Sequence, residues 1–129
     1  MKFLLLPIIS LLLLSSCKKV EGEGGTSTIK GKIIENRYSS VGSIIATYDA
    51  ADQDVYIIYG DGSTYFDDKI ATSYDGTFEF RYLQKGSYTI FVYEDCNTCP
   101  SGKSQVILST KIEKKKSTVD LGTMTIKKY

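Results

Sequence analysis

The chain has 129 residues, with 16 basic and 15 acidic side chains, ten tyrosines, five phenylalanines, and neither histidine nor tryptophan. That length holds one domain, and so even a charge argues against nucleic acid as a partner, because phosphate binding wants a clear basic excess. The lack of histidine removes Ser-His-Asp and Cys-His nucleophile systems and the histidine-bearing zinc sites.

The N-terminus begins with one positive charge, Lys2, followed by an apolar run from Phe3 to Leu14 broken only by Pro7 and Ser10. The run is too short to cross a bilayer permanently and reads as a cleaved export signal. Leu14-Ser15-Ser16-Cys17 resembles the lipobox of bacterial lipoproteins. The resemblance implies a signal peptide over residues 1–16, a diacylglyceryl thioether on Cys17, and attachment to a membrane through that lipid. Lys18 stands where an aspartate is associated with inner-membrane retention in enteric bacteria, so the outer membrane is the expected location, facing either the periplasm or the outside. Residues 17–27 are polar and glycine-rich. They read as a lipidated cysteine and a flexible tether with a reach of about 17 Å, which leaves residues 28–129 for the folded domain.

From Thr28 onward a two-residue rhythm recurs. Ile29, Gly31 and Ile33 alternate with lysines, and Val55, Ile57 and Tyr59 belong to a run apolar on both faces. Phe78, Phe80 and Tyr82 alternate with Thr77, Glu79 and Arg81; Tyr88, Ile90 and Val92 follow in the same rhythm. Val106, Leu108 and Ile112 share a face of the next segment. In the last strand Val119 and Leu121 give way to Met124 and Ile126, a change of phase that predicts a bulge near Gly122. Turn chemistry lies at 59–62, 74–76 and 84–86. Register is ambiguous over 36–53, where Val41, Ile44 and Ile45 are candidates for a further strand. No segment after the signal has a helical period. The expected fold is all-β, a single Greek-key sandwich of about seven strands.

Asp75-Gly76-Thr77-Phe78-Glu79-Phe80, then Leu83, then Gly86-Ser87-Tyr88-Thr89-Ile90, resembles the carboxypeptidase regulatory-like and transthyretin-like (prealbumin-like) β-sandwiches. Ile29-x-Gly31-x-Ile33 looks like the first strand of that family and Val119-x-Leu121-Gly122 like its last. Asp75-Gly76 is expected to make a tight hairpin turn with glycine at positive φ. Phe78 and Phe80 are expected to enter the inter-sheet core, and Gly86 to let the chain swing between sheets. Tyr88 is expected to bury its ring and find a backbone partner for its hydroxyl, much like a tyrosine corner. The resemblance implies an accessory, stabilising or adhesive module. Hydrolases of the transthyretin-like type rely on histidines, which are absent here.

Cys96-Asn97-Thr98-Cys99-Pro100 lies just beyond a strand, among Glu94, Asp95, Ser101 and Gly102. In an oxidising envelope a structural disulfide is the preferred reading, since an i,i+3 turn brings α-carbons within about 7 Å. The alternative is a thiol-redox pair, which usually opens a helix. Asp49, Asp52 and Asp54, and again Asp61, Asp67 and Asp68, do not match a calcium-loop spacing and read as turn-makers, with a calcium ion bridging two such loops as the alternative. Lys114-Lys115-Lys116 reads as a solvated turn, with a phospholipid headgroup contact as its sharper alternative. Tyr56, Tyr65, Phe91 and Tyr93 are candidates for an exposed aromatic face on which a glycan or protein could stack, with core packing as the plainer reading for at least half of them.

These readings together describe a non-enzymatic, lipid-anchored envelope protein acting as an accessory or binding module, with no metal and no cofactor. The alternatives are a carbohydrate- or adhesin-type surface binder, and a redox protein using Cys96 and Cys99.

Overall fold

The computed structural model describes residues 20–129. The signal segment, Cys17 and the Lys18-Lys19 pair lie outside them. Eight strands follow in chain order: β1 (Glu23–Tyr38), β2 (Ile44–Asp49), β3 (Asp54–Tyr59), β4 (Asp68–Ala71), β5 (Thr77–Leu83), β6 (Gly86–Asp95), β7 (Lys103–Ile112) and β8 (Thr118–Lys128). No helix occurs among the described residues.

Two four-stranded sheets form the all-β sandwich. One has the order β4-β3-β6-β7 and is antiparallel throughout. The other is built on β1, whose 16 residues extend about 50 Å at roughly 3.3 Å per residue. One edge of β1 pairs in parallel with β8; the other pairs antiparallel with β5 along its first half and β2 along its second. A single long strand thus aligns three others.

The core lies where the inward positions of the two sheets meet. Ile29, Ile33, Val55, Ile57, Phe78, Phe80, Leu83, Tyr88, Ile90, Val92, Ile112, Met124 and Ile126 are buried there. Burying each large apolar side chain contributes about 1.5–3 kcal/mol. Gly31 belongs to the same packing, because a Cβ on it would lie 2.8 Å from the Phe78 ring. The ring takes the space that a side chain at 31 would fill.

The expected bulge in β8 is present. Lys30 pairs with Asp120 but Lys32 with Thr123, which leaves one extra residue on β8. Gly122 has φ +71° and donates its N–H to Asp120 Oδ1 at 2.8 Å. The two-residue rhythm breaks there because β8 must insert one residue to keep both halves of its apolar pattern facing inward.

Four features differ from the sequence reading. First, the stretch expected as a tether is largely structured. Gly22 is buried, Glu23–Ser27 belong to β1, and Glu23 and Ser27 both pair with Leu83, so the intervening residues bulge out. Gly25 serves close packing rather than flexibility, since a Cβ there would meet Leu83 O at 1.9 Å. The folded unit therefore begins before residue 28.

Second, Tyr82 points outward. Ile29 pairs with Phe80 and Ser27 with Leu83, which inserts one extra residue in β5. Tyr82 absorbs it at φ +59° and is 69% exposed, while Leu83 takes the inward position.

Third, Asp75-Gly76 is a corner between sheets. The strands it joins, β4 and β5, belong to different sheets, although Gly76 has the expected positive φ of +79°. Gly76 O accepts the Ile33 N–H at 2.8 Å, tying the corner to β1.

Fourth, the short β4 is a strand that periodicity does not reveal, whereas the further strand suggested by Ile44 and Ile45 is present as β2. Ile44, Ile45 and Tyr48 of β2 are exposed, and β2 pairs with β1 alone. The strand exists through backbone pairing with β1 rather than through burial.

Candidate functional site

The outer face of β4-β3-β6-β7 carries an aromatic cluster. Alternation along β3 and β6 sends Val55, Ile57, Ile90 and Val92 inward, and therefore Tyr56, Phe91 and Tyr93 outward. Register places Tyr56 opposite Phe91, Phe91 opposite Ile107, and Tyr93 opposite Gln105. The Tyr56 and Phe91 rings stack with centroids 4.9 Å apart and planes 9° from parallel. Tyr93 meets both edge-on, at 5.5 Å from Tyr56 and 5.7 Å from Phe91. Phe66, from the β3–β4 loop, also meets Tyr56 edge-on, at 4.9 Å.

The cluster has a covered centre and an open rim. Phe91 is only 5% exposed, whereas Tyr93, Phe66 and Ile107 remain 38–53% exposed. Gln105 Nε2 donates to Tyr93 Oη at 3.4 Å, and Lys69 lies opposite Tyr56. The arrangement is thus a patch of ring faces and edges with amide and ammonium donors at its margin. Of the four aromatics expected on such a face, the structure unites Tyr56, Phe91 and Tyr93. Tyr65 stands on the loop at 81% exposure. Its neighbour Phe66 enters the cluster in its place, because in a loop residue parity does not say which of two adjacent rings turns to the sheet.

A second concavity, an open cleft of about 830 Å³, runs between the edges of β4 and β5 and over the outer side of β5. Tyr59, Ile70, Phe80 and Tyr82 contribute apolar surface, and Lys32, Glu79 and Arg81 contribute charge. Those charges are largely matched by neighbours: Arg81 pairs with Glu79 at 2.7 Å and Lys32 with Asp49 at 2.8 Å. Burial, with nearby Asp68 and Glu23, pushes the Tyr59 phenol up to about 12, so it stays protonated at neutral pH.

The scaffold residues meet at the end of the sandwich where β1 begins. Tyr88 is buried, donates its hydroxyl to Gln84 O at 2.6 Å and accepts the Gly22 N–H at 2.9 Å. Burial raises the Tyr88 pKa. A Cβ on Gly86 would strike the Glu21 side chain at 2.2 Å, so this glycine admits the incoming N-terminal segment at the crossing from β5 to β6. At the other corner, Asp75 Oδ1 accepts both the hydroxyl and the N–H of Thr77, which hold its carboxyl below the usual carboxylate range.

Cys96 and Cys99 form a disulfide across a turn, with α-carbons 5.3 Å apart. The 96–102 loop is closed further by Cys96 N–H to Gly102 O at 2.9 Å and Gly102 N–H to Cys99 O at 3.0 Å. No helix follows either cysteine, so the N-terminal dipole that lowers a thiol pKa in redox pairs is absent. The acids beside the loop have structural partners. Glu94 Oε2 accepts the Lys127 N–H and Asp95 Oδ2 the Tyr129 N–H, both at 3.0 Å, which staples the end of β8 to the opposite sheet. Asp95 also pairs with Lys103.

The aspartates are dispersed. Asp67 Oδ2 accepts the Tyr59 N–H at 2.7 Å, and Asp54 lies 3.9 Å from Lys69. Among the described residues, no group of three or more carboxylate or cysteine side chains is placed to hold a metal ion.

No family model and no curated protein matches the chain. Solved structures resemble it loosely. A Pseudomonas aeruginosa protein, proposed in its description to bind carbohydrate, is 13% identical over 83% of this chain and 91% of its own, with a TM-score of 0.48. An (S)-allantoin synthase is 8% identical over 80% of this chain and 42% of its own, with a TM-score of 0.42. A 9R-lipoxygenase from Cyanothece is 16% identical over 77% of this chain and 16% of its own, with a TM-score of 0.39. At these scores the likenesses carry no argument about function. The protein is a two-sheet, all-β sandwich with an aromatic outer face.

Proposed function

We propose that this chain is a lipid-anchored, non-enzymatic binding module of the bacterial outer membrane, held by Cys17, whose aromatic face takes a glycan. The observation that carries the glycan reading is the four-ring cluster of Tyr56, Phe66, Phe91 and Tyr93, solvent-open at its rim and edged by Gln105 and Lys69. Sugar C–H groups pack on aromatic faces, and the amide and ammonium groups at the margin suit ring hydroxyls. The lipobox at Leu14–Cys17 supports the anchor, and the resemblance to carboxypeptidase regulatory-like modules supports an accessory role.

Thiol chemistry at Cys96 and Cys99 has less support, because their loop lacks a helix to stabilise a thiolate. The test is a glycan array on the mature chain carrying Cys17→Ser, followed by calorimetry on the best ligand. Tyr93→Ala and Phe66→Ala each remove one rim ring and are expected to weaken binding about tenfold, or about 1.4 kcal/mol. An array without hits, or both variants binding as tightly as the parent, overturns the glycan reading.

A further inference from the structure

The folded unit starts close to its anchor, which determines the end of the sandwich that faces the lipid. Glu21 packs against Gly86, and Gly22 is held by Tyr88. Only Lys18 and Lys19 separate Cys17 from Val20, where the described chain begins. The distance from Cys17 to Val20 cannot exceed about 11 Å, close to the screening length of about 8 Å at physiological salt.

Two loops accompany the chain at that end. Ser27 Oγ donates to Lys114 O at 3.0 Å, Lys116 N–H to Thr26 Oγ1 at 3.0 Å, and Thr28 N–H to Ser117 O at 2.9 Å. These bonds hold the 113–117 loop beside the start of β1. The 84–85 turn is held there as well, through Gln84 N–H to Gly22 O at 2.8 Å. Lys85 and Lys115 line one hollow of about 160 Å³ together with Gly24–Ser27. Lys85, Lys114 and Lys116 are exposed.

The acids of this end are placed differently. Glu21 Oε1 already accepts the Ser87 N–H, and Asp61 and Asp67 belong to the β3–β4 loop, across the sheet from the β7 edge that feeds the lysine loop. Glu21, Glu23 and Glu113 remain beside the lysines as negative charges, against which the sequence adds Lys18 and Lys19.

We propose that this end of the sandwich docks on phosphate-bearing anionic lipid headgroups through Lys85, Lys114 and Lys116. The proposal rests on acylation of Cys17. Docking tilts the β7–β8 edge toward the bilayer and leaves the β1–β2 hairpin and the disulfide loop at the opposite, outward end.

The test is lysine acetylation footprinting of the mature acylated protein in vesicles, read by mass spectrometry, with Lys127 at the far end as internal reference. In phosphatidylethanolamine–phosphatidylglycerol vesicles at low salt, labelling of Lys85, Lys114 and Lys116 is expected to slow about fivefold relative to Lys127. The protection should vanish in purely zwitterionic vesicles or at high salt. A Lys114→Gln, Lys116→Gln double variant should lose the protection of Lys85. Equal labelling in both vesicle types, with Cys17 acylated by intact mass, overturns the docking alone. An intact mass without acyl chains at Cys17 overturns the anchor and the docking together.

Discussion

Tyr88→Phe removes one oxygen that binds two backbone segments. In the parent, the hydroxyl accepts the Gly22 N–H at 2.9 Å and donates to Gln84 O at 2.6 Å, with the ring buried. Each bond is worth about 1 kcal/mol net, and the buried Gly22 amide left without a partner adds about 1 kcal/mol of desolvation. Because the benzyl ring stays in place, no cavity forms. The sum is a loss of about 2–3 kcal/mol, or a fall of about 8–12 °C in Tm for a domain of this size. Urea unfolding of residues 17–129 carrying Cys17→Ser measures it through the midpoint at constant m-value. Amide exchange at Gly22 supplies a local check, since its protection depends directly on the lost acceptor. A loss under about 0.5 kcal/mol, with Gly22 exchange unchanged, would refute the account of Tyr88 as the clasp between the N-terminal segment and the β5–β6 corner.

Three further outcomes are expected. Phe80→Ala should cost about 3–5 kcal/mol and Tyr82→Ala less than about 0.5 kcal/mol by urea unfolding, because only the first ring is in the core; similar losses would place Tyr82 inside and remove the bulge. Replacing Cys96 and Cys99 together with serine should lower stability by about 2 kcal/mol, the chain-entropy value for so short a loop, without abolishing the proposed glycan binding, whose Tyr56 and Phe66 rings belong to β3 and the β3–β4 loop; loss of binding in this variant would tie the ligand to the disulfide loop instead. Asp75 has a depressed folded pKa, so its contribution is complete above the unfolded carboxylate value of about 4 and disappears as pH falls through the lower folded value. Asp75→Asn should therefore flatten the acid limb of the stability curve below about pH 4 and leave its shape near neutrality unchanged; an unaltered acid limb would exclude this role.

Much of the sandwich is legible in the chain because alternation is a local property. Ile29 and Ile33, Phe78 and Phe80, and Tyr88, Ile90 and Val92 face the core as their spacing requires. The Gly122 bulge is legible for the same reason: a two-residue rhythm that changes phase must contain an extra residue. Cys96 and Cys99 are three positions apart in a turn, so their pairing also needs no distant information.

The remainder depends on partners far along the chain. Tyr82 continues the rhythm of Phe78 and Phe80, yet the register between β5 and β1 turns it outward, and only pairing with Ser27 and Ile29 sets that register. The glycines at 22–25 have the composition of a linker, but Tyr88 and Leu83, some sixty residues later, immobilise them. β4 lacks a buried face and no hydrophobic signal announces it, while Ile44 and Ile45 suggest β2 without giving its register; both strands exist because β1 and β3 offer free edges. Phe66 joins the aromatic cluster from a loop, and the lysine loop meets the N-terminal end of β1 through bonds to Thr26 and Ser27. Local pattern determines which side of a strand is apolar, whereas the choice of neighbouring strand, and with it the surface each outward side chain joins, comes from long-range backbone pairing alone.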